Sequence, residues 1–108
     1  VEATDWEQFV AIVASDIVAE QSPRRLLVVR AKLYELLVNC IPADVILKTL
    51  CKELMPKLDD DLKHAVAYWA SHYEHRLRTG TKEIFHLEAF IAKFMSLYKR
   101  WLVTNFGM

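Results

Sequence analysis

The sequence predicts an all-α fold, a single compact domain of about five helices. Three observations predict it. Two glycines and three prolines are all that punctuate 108 residues, and no segment sustains the period-two alternation of a strand. Apolar residues recur at helical spacing along most of the chain. The breaks between these stretches carry residues that start or stop helices.

The first helix begins near Thr4 and fades around Glu20. Thr4 and Glu7 have the capping-box spacing, in which each side chain satisfies the other's orphan amide. Trp6, Phe9, Val10, Val13 and Ile17 fall on one face. The second helix opens at Ser22-Pro23, with Ser22 as N-cap and Pro23 in the first helical position. Leu26, Val29, Leu33, Leu36, Leu37 and Cys40 form its core stripe. Leu27, Ala31, Tyr34 and Val38 form a second apolar stripe, about 100° round at helical pitch. Asn39 to Pro42 ends this helix.

The third helix runs from about Pro42 to Met55, with Ile46, Leu47, Leu50, Cys51 and Leu54 on its apolar side. Pro56 stops it, because proline disfavours helical geometry in the residue before it. Asp59, Asp60 and Asp61 then supply negative charge at the start of a fourth helix, where the macrodipole favours it. That helix covers about Asp61 to Thr79. Its core stripe is Leu62, Ala65, Val66, Trp69, Ala70, Tyr73 and Leu77. Arg76 and Arg78 occupy the last turn, and Gly80 is the expected left-handed stop.

The fifth helix runs from about Thr81 to Thr104. Ile84, Leu87, Ile91, Phe94, Met95, Tyr98, Trp101 and Leu102 form its main stripe. Phe85, Ala89, Ala92, Ser96 and Val103 lie on the far side, where small residues let another helix approach closely. A helix apolar on two sides is buried in a core or against a partner. Two readings stand for the second stripes. Phe85, Ala89, Ala92 and Val103 face a neighbouring protein, or the fifth helix is central and covered on both sides. Leu27, Ala31, Tyr34 and Val38 face a neighbour, or they pack on the third helix.

Composition narrows the function. Hydrophobic residues make up 54%, a rich share for one small domain, and a buried interface is one place for the surplus. Fourteen basic residues balance fourteen acidic ones, whereas a dedicated nucleic-acid binder is usually basic. Cys40 and Cys51 are expected as free, buried thiols on helices, which fits a reducing compartment. No apolar run approaches the length of about 20 that spans a bilayer, so no membrane partner is expected. The chain shows no signal-peptide pattern and does not begin with methionine, so Val1 is read as an internal position of a longer protein.

No enzyme constellation appears, and no catalytic, cofactor-binding or metal residues are assigned. A phosphate-cradling GxxxxGK[ST] loop is impossible with Gly80 and Gly107 as the only glycines. His64, Tyr68, His72 and His75 share one flank of the fourth helix. HYEHR is not HExxH, and no third ligand is evident, so a polar flank is the better reading. Arg24, Arg25, Arg30 and Lys32 cluster on the second helix, and Arg76, Arg78 and Lys82 cluster around Gly80. Either cluster could touch phosphate. A helical nucleic-acid-binding module built on Arg24, Arg25 and Arg30 is therefore the alternative function. Arg76 falls at the edge of the core stripe and is expected to pair with a carboxylate, with Glu88 the candidate, or to cap helix carbonyls.

Two long segments carry a resemblance. QSPRRLLVVRAKLYELLVNCIP and HYEHRLRTGTKEIFHLEAFIAKFMSLYK, with the helices between them, closely resemble the carboxy-terminal region of a small subunit of eukaryotic replication factor C, the third-subunit type of animals. The likeness runs from about Trp6 to Lys99. Glu74, Arg76, Leu77 and Gly80 loosely match a helix end of that family. The tail after Arg100 is the part whose path is left open.

The resemblance implies that residues 1–108 are a helical collar domain, with the ATPase core of the AAA+ class and the lid domain of the parent absent. Such domains pack side by side into a pentameric collar. The implied role is structural assembly of the DNA replication clamp loader, not catalysis. Implied partners are the other replication factor C subunits through the collar, with the sliding clamp and primer-template DNA held by the whole complex. ATP and magnesium are implied only for the missing ATPase domain. The implied location is the nucleus, with a role in replication and repair.

Overall fold

The computed structural model of the chain describes residues 3–79 and 82–107. Five α-helices follow in order: α1 (Ala3–Ala19), α2 (Pro23–Val38), α3 (Ala43–Leu54), α4 (Asp60–Thr79) and α5 (Glu83–Phe106), with a short 3-10 turn at Met55–Lys57. The all-α fold class expected from the sequence is the one observed. The Thr4–Glu7 capping box and the Gly80 helix stop rest on the Thr4 side chain and on Gly80, which lie outside the described residues.

Helix α5 is the axis of the domain. Its 24 residues span about 36 Å at helical rise, close to the 41 Å long dimension of the molecule. It packs against α1, α2, α3 and α4. Ile84, Leu87, Phe90, Ile91, Phe94, Met95 and Tyr98 are its buried residues. Phe94 and Tyr98 stack at 5.6 Å, and Tyr98 stacks on Trp101 at 5.7 Å. From the rest of the chain, Val10, Val13, Ala14, Ile17, Val29, Leu33, Leu36, Ala43, Ile46, Leu47, Leu50, Leu54, Leu58, Leu62 and Val66 complete the core. The tail after Arg100 extends α5 to Phe106, and Gly107 ends it in the left-handed conformation at φ +69°.

Local chemistry sets the corners. The Ser22 hydroxyl accepts from the Arg25 amide at 3.1 Å and donates to Glu20 at 2.5 Å, which confirms Ser22 as the α2 N-cap. Gln21 Nε2 donates to the carbonyls of Ile17 and Val18, closing the end of α1. Arg25 reaches both Asp16 and Glu20, and Lys32 also pairs with Asp16. These ions tie α1 to α2. The hydrogen bond from Ser22, then Arg25, holds the Glu20 carboxyl below its usual range.

Asp59 joins α4 to α5. One carboxylate oxygen accepts from the Leu62 amide at 2.8 Å and caps α4, and the other accepts from Trp101 Nε1 at 2.8 Å. The helix-start reading of the Asp59–Asp61 run is therefore the structural one.

Two sequence expectations fail at Cys40. The residue is neither helical nor buried. It is exposed and follows the α2 end at φ +66°. Its amide donates to the Leu37 carbonyl at 3.0 Å, and the Ile41 amide donates to Leu36 at 3.2 Å. This is the Schellman arrangement, which usually places glycine at the left-handed position. The hydrogen bonds and the return of Ile41 to the core hold cysteine there despite its Cβ. Cys40→Gly should therefore raise stability by about 0.5–1 kcal/mol, or Tm by a few degrees, after the extra unfolded-state entropy of glycine is subtracted. Thermal unfolding followed by circular dichroism reads this directly, and a lower Tm would contradict it.

Cys51 is a free thiol on α3 as expected, but half-buried against the core and not fully enclosed. Burial, aided by the Glu74 carboxylate, pushes its pKa from 9.0 up to about 11. A raised pKa depletes the thiolate at any lower pH. At pH 8 its alkylation should thus run about 100-fold slower than that of an unperturbed thiol, rising about tenfold per pH unit. Iodoacetamide labelling read by peptide mass spectrometry tests this. Reaction of Cys51 at the rate of free cysteine would show that the site is open.

Candidate functional site

The second apolar stripe of α2 stays on the surface. Leu27 is 62% exposed and Val38 77%, and Tyr34 is nearly half exposed. Ala31 is exposed with them. These residues do not pack on α3. On α5, Phe85 is 47% exposed, Ala92 and Val103 are exposed, and Ala89 is half-buried. So α5 is central, as one reading had it, yet its far side is not fully covered.

The two stripes meet across an ion pair. Arg30 Nε lies 3.6 Å from a Glu88 carboxylate oxygen, bridging α2 and α5. Arg30 sits one helical turn from both Leu27 and Tyr34, and its guanidinium lies 5.6 Å from the Tyr34 ring centroid. Glu88 sits one turn from both Phe85 and Ala92. The bridge thus stitches Leu27 and Tyr34 on one side to Phe85 and Ala92 on the other. Lys82 Nζ lies 5.7 Å from the Phe85 ring and supplies charge at the edge. Exposed apolar residues of α2 and α5 thus stand on either side of an ion pair, with a lysine at the edge.

This pairing corrects one expectation. Glu88 is held by Arg30, not by Arg76. Arg76 is exposed, and its Nε donates to His72 Nε2 at 3.3 Å, with no place at the core's edge. The sequence pattern alone groups Arg30 with a basic cluster. Its neighbours Leu27 and Tyr34 were the available signal that it lies within an apolar stripe.

Acidic partners divide the basic cluster of α2. Arg25 is engaged by two carboxylates and Arg30 by one. Arg24 extends freely at 87% side-chain exposure, with Glu20 only at 3.9 Å. The three arginines do not form an open phosphate-tracking patch.

His72 and His75 line an open cleft of about 640 Å³ with Tyr68, Ser71, Arg76 and Thr79, and His64 lies outside it. Among the described residues, no group of three or more His, Cys, Asp or Glu side chains could hold a metal ion. Among the same residues, no helix is long and apolar enough to cross a membrane.

Fold and surface together define a class, a small all-helical domain with exposed apolar residues on two adjacent helices. The particular family follows from comparison. Residues 6–102 match the family described as "Replication factor C subunit 3, C-terminal domain", and the chain belongs to that family. It is 64% identical over 103 residues to a rice (Oryza sativa subsp. japonica) protein named replication factor C subunit 5, covering 95% of this chain and 29% of that protein. It is 60% identical over 103 residues to replication factor C subunit 3 of Arabidopsis thaliana, covering 95% and 29%. It is 54% identical over 99 residues to replication factor C subunit 3 of Homo sapiens, covering 92% and 28%. The chain spans less than a third of the length of these relatives. The third-subunit likeness expected from the sequence agrees with the family matched, though both plant proteins are more similar to the chain than the human one.

Proposed function

We propose that this chain is the assembly domain of a clamp-loader subunit, packing beside related domains of the other replication factor C subunits in a pentameric collar. The observation that carries the reading is the exposure of Leu27, Tyr34, Phe85 and Ala92 on the two helices that the Arg30–Glu88 pair joins. Burying such a face releases water from apolar surface and drives association. Charges at its margin select partner and orientation. Family membership supplies the class of partner.

In this reading the domain performs no chemistry. ATP and magnesium act in the ATPase part of the parent protein. Primer-template DNA and the sliding clamp are engaged by the whole complex, in the nucleus, during replication and repair.

The test is co-expression of this chain with the C-terminal domains of the other replication factor C subunits, sized by light scattering. A defined hetero-oligomer supports the proposal. A monomer with every partner, at concentrations well above those of a stable interface, contradicts it for the isolated domain.

A further inference from the structure

We propose that Arg30 is the polar anchor of the α2–α5 surface, and that the neighbouring replication factor C domain packed on it meets Arg30 with a carboxylate. The proposal rests on the assembly reading above and gives the chemistry of the partner at one point.

The ion pair between the two helices is incomplete. Among the described residues, Arg30 Nε is the one buried side-chain nitrogen or oxygen without a hydrogen-bond partner. Glu88 lies 3.6 Å from it, close enough to attract but too far for a hydrogen bond. Arg25 differs, since its guanidinium donates to Asp16 at 3.4 Å and to Glu20 at 3.3 Å. A buried donor without an acceptor is costly. Turning Arg30 toward a second acceptor breaks no hydrogen bond at Nε, so Arg30 can be recruited at lower cost than Arg25. Its side chain is 34% exposed, and none of that area lies at Nε. The terminal N–H groups of a guanidinium form a planar fork that takes a carboxylate on two donors.

Charge identifies the acceptor. Tyr34 and Phe85, the two exposed rings of these stripes, each carry a cation. The Arg30 guanidinium lies 5.6 Å from the Tyr34 ring centroid, and Lys82 Nζ lies 5.7 Å from that of Phe85. Among the described residues, Glu88 is the one carboxylate paired with either cation. A partner that covers both rings therefore takes two cations and one carboxylate out of water. Desolvated charge has to be balanced, and a carboxylate from the partner balances it. A neutral acceptor would satisfy N–H groups and leave the excess charge. Tyrosine and arginine are also the residues on which interface binding energy concentrates.

The test uses the co-expressed hetero-oligomer. Equilibrium association with the partner domains is measured for wild type, Arg30→Gln, Arg30→Lys and Glu88→Gln, at about 0.05 and 0.5 M salt. Urea unfolding of each variant alone runs beside it. Arg30→Gln should weaken association at least about tenfold and flatten its salt dependence. Arg30→Lys keeps the charge but loses the fork, and should restore only part of that loss. Glu88→Gln should tighten association about two- to three-fold, because it removes the negative charge that the incoming carboxylate meets. A role confined to the Arg30–Glu88 bridge predicts the opposite sign, with Arg30→Gln and Glu88→Gln weakening association alike. That result would overturn the proposal, as would Arg30→Gln binding as tightly as wild type, and both leave the assembly reading standing. A wild-type chain that joins no partner domain removes the assembly reading and this proposal with it. Self-association of the wild-type chain that Arg30→Gln abolishes would make a second copy the occupant, and the proposal would fall on that ground.

Discussion

Phe90→Ala is expected to lower the unfolding free energy by about 3–5 kcal/mol. Such a loss is a large share of the roughly 5–15 kcal/mol that holds a typical domain together. Phe90 is 1% exposed and, with Phe94, is the largest of the fully buried side chains. Its ring meets Tyr73 of α4 edge-on at 6.3 Å, so it fills the seam between the two longest helices. Truncation removes the transfer free energy of the ring and leaves a cavity that neighbouring helices cannot close without moving α5, which packs on all of them. Urea unfolding of the variant beside Phe85→Ala makes the comparison within one helix. Phe85 is half exposed, and its loss should cost no more than about 1 kcal/mol. Similar destabilisation by both variants would mean that α5 is rotated from the orientation described.

The same residue shows how far the sequence could be read. Phe90 is absent from both stripes assigned to α5, yet it stands three residues after Leu87 and four before Phe94. That spacing marks a core position. A helix with apolar residues on most sides offers several overlapping stripes, and only the packing of α4 decides which is innermost. The termini were easier because capping is local. Ser22-Pro23 and Pro56 set the start of α2 and the end of α3 through chemistry within a few residues. The turn at Cys40 escaped for the opposite reason. Nothing nearby demands a left-handed cysteine; the return of Ile41 to the core does.

Pairing across helices was the least legible. The Arg30–Glu88 contact depends on how α2 and α5 are turned against each other, which no periodicity specifies. Each stripe on its own was readable from its spacing. That the two join into one face became visible only when α2 lay beside α5. Arg30 then changed its meaning, from a member of a basic cluster to the paired centre of an apolar surface.

Leu27→Asp and Phe85→Asp are each expected to weaken assembly with the partner collar domains by about 100- to 1,000-fold, with Tyr34→Asp acting in the same direction. The estimate follows from leaving a carboxylate unpaired in a closed interface, at about 3–4 kcal/mol, with 1.4 kcal/mol per tenfold in affinity. The separate domain should tolerate the changes. Leu27 and Phe85 are 62% and 47% exposed, so an aspartate at either position stays in water until a partner arrives. Stability and association therefore part company at these positions, whereas at Phe90 they fall together. Equilibrium binding to the partner domains, measured beside urea unfolding of the variant alone, separates the two. Loss of binding with unchanged unfolding supports the face as an assembly surface. Loss of folding would make Leu27 and Phe85 core residues, and unchanged binding would remove the α2–α5 face from assembly altogether.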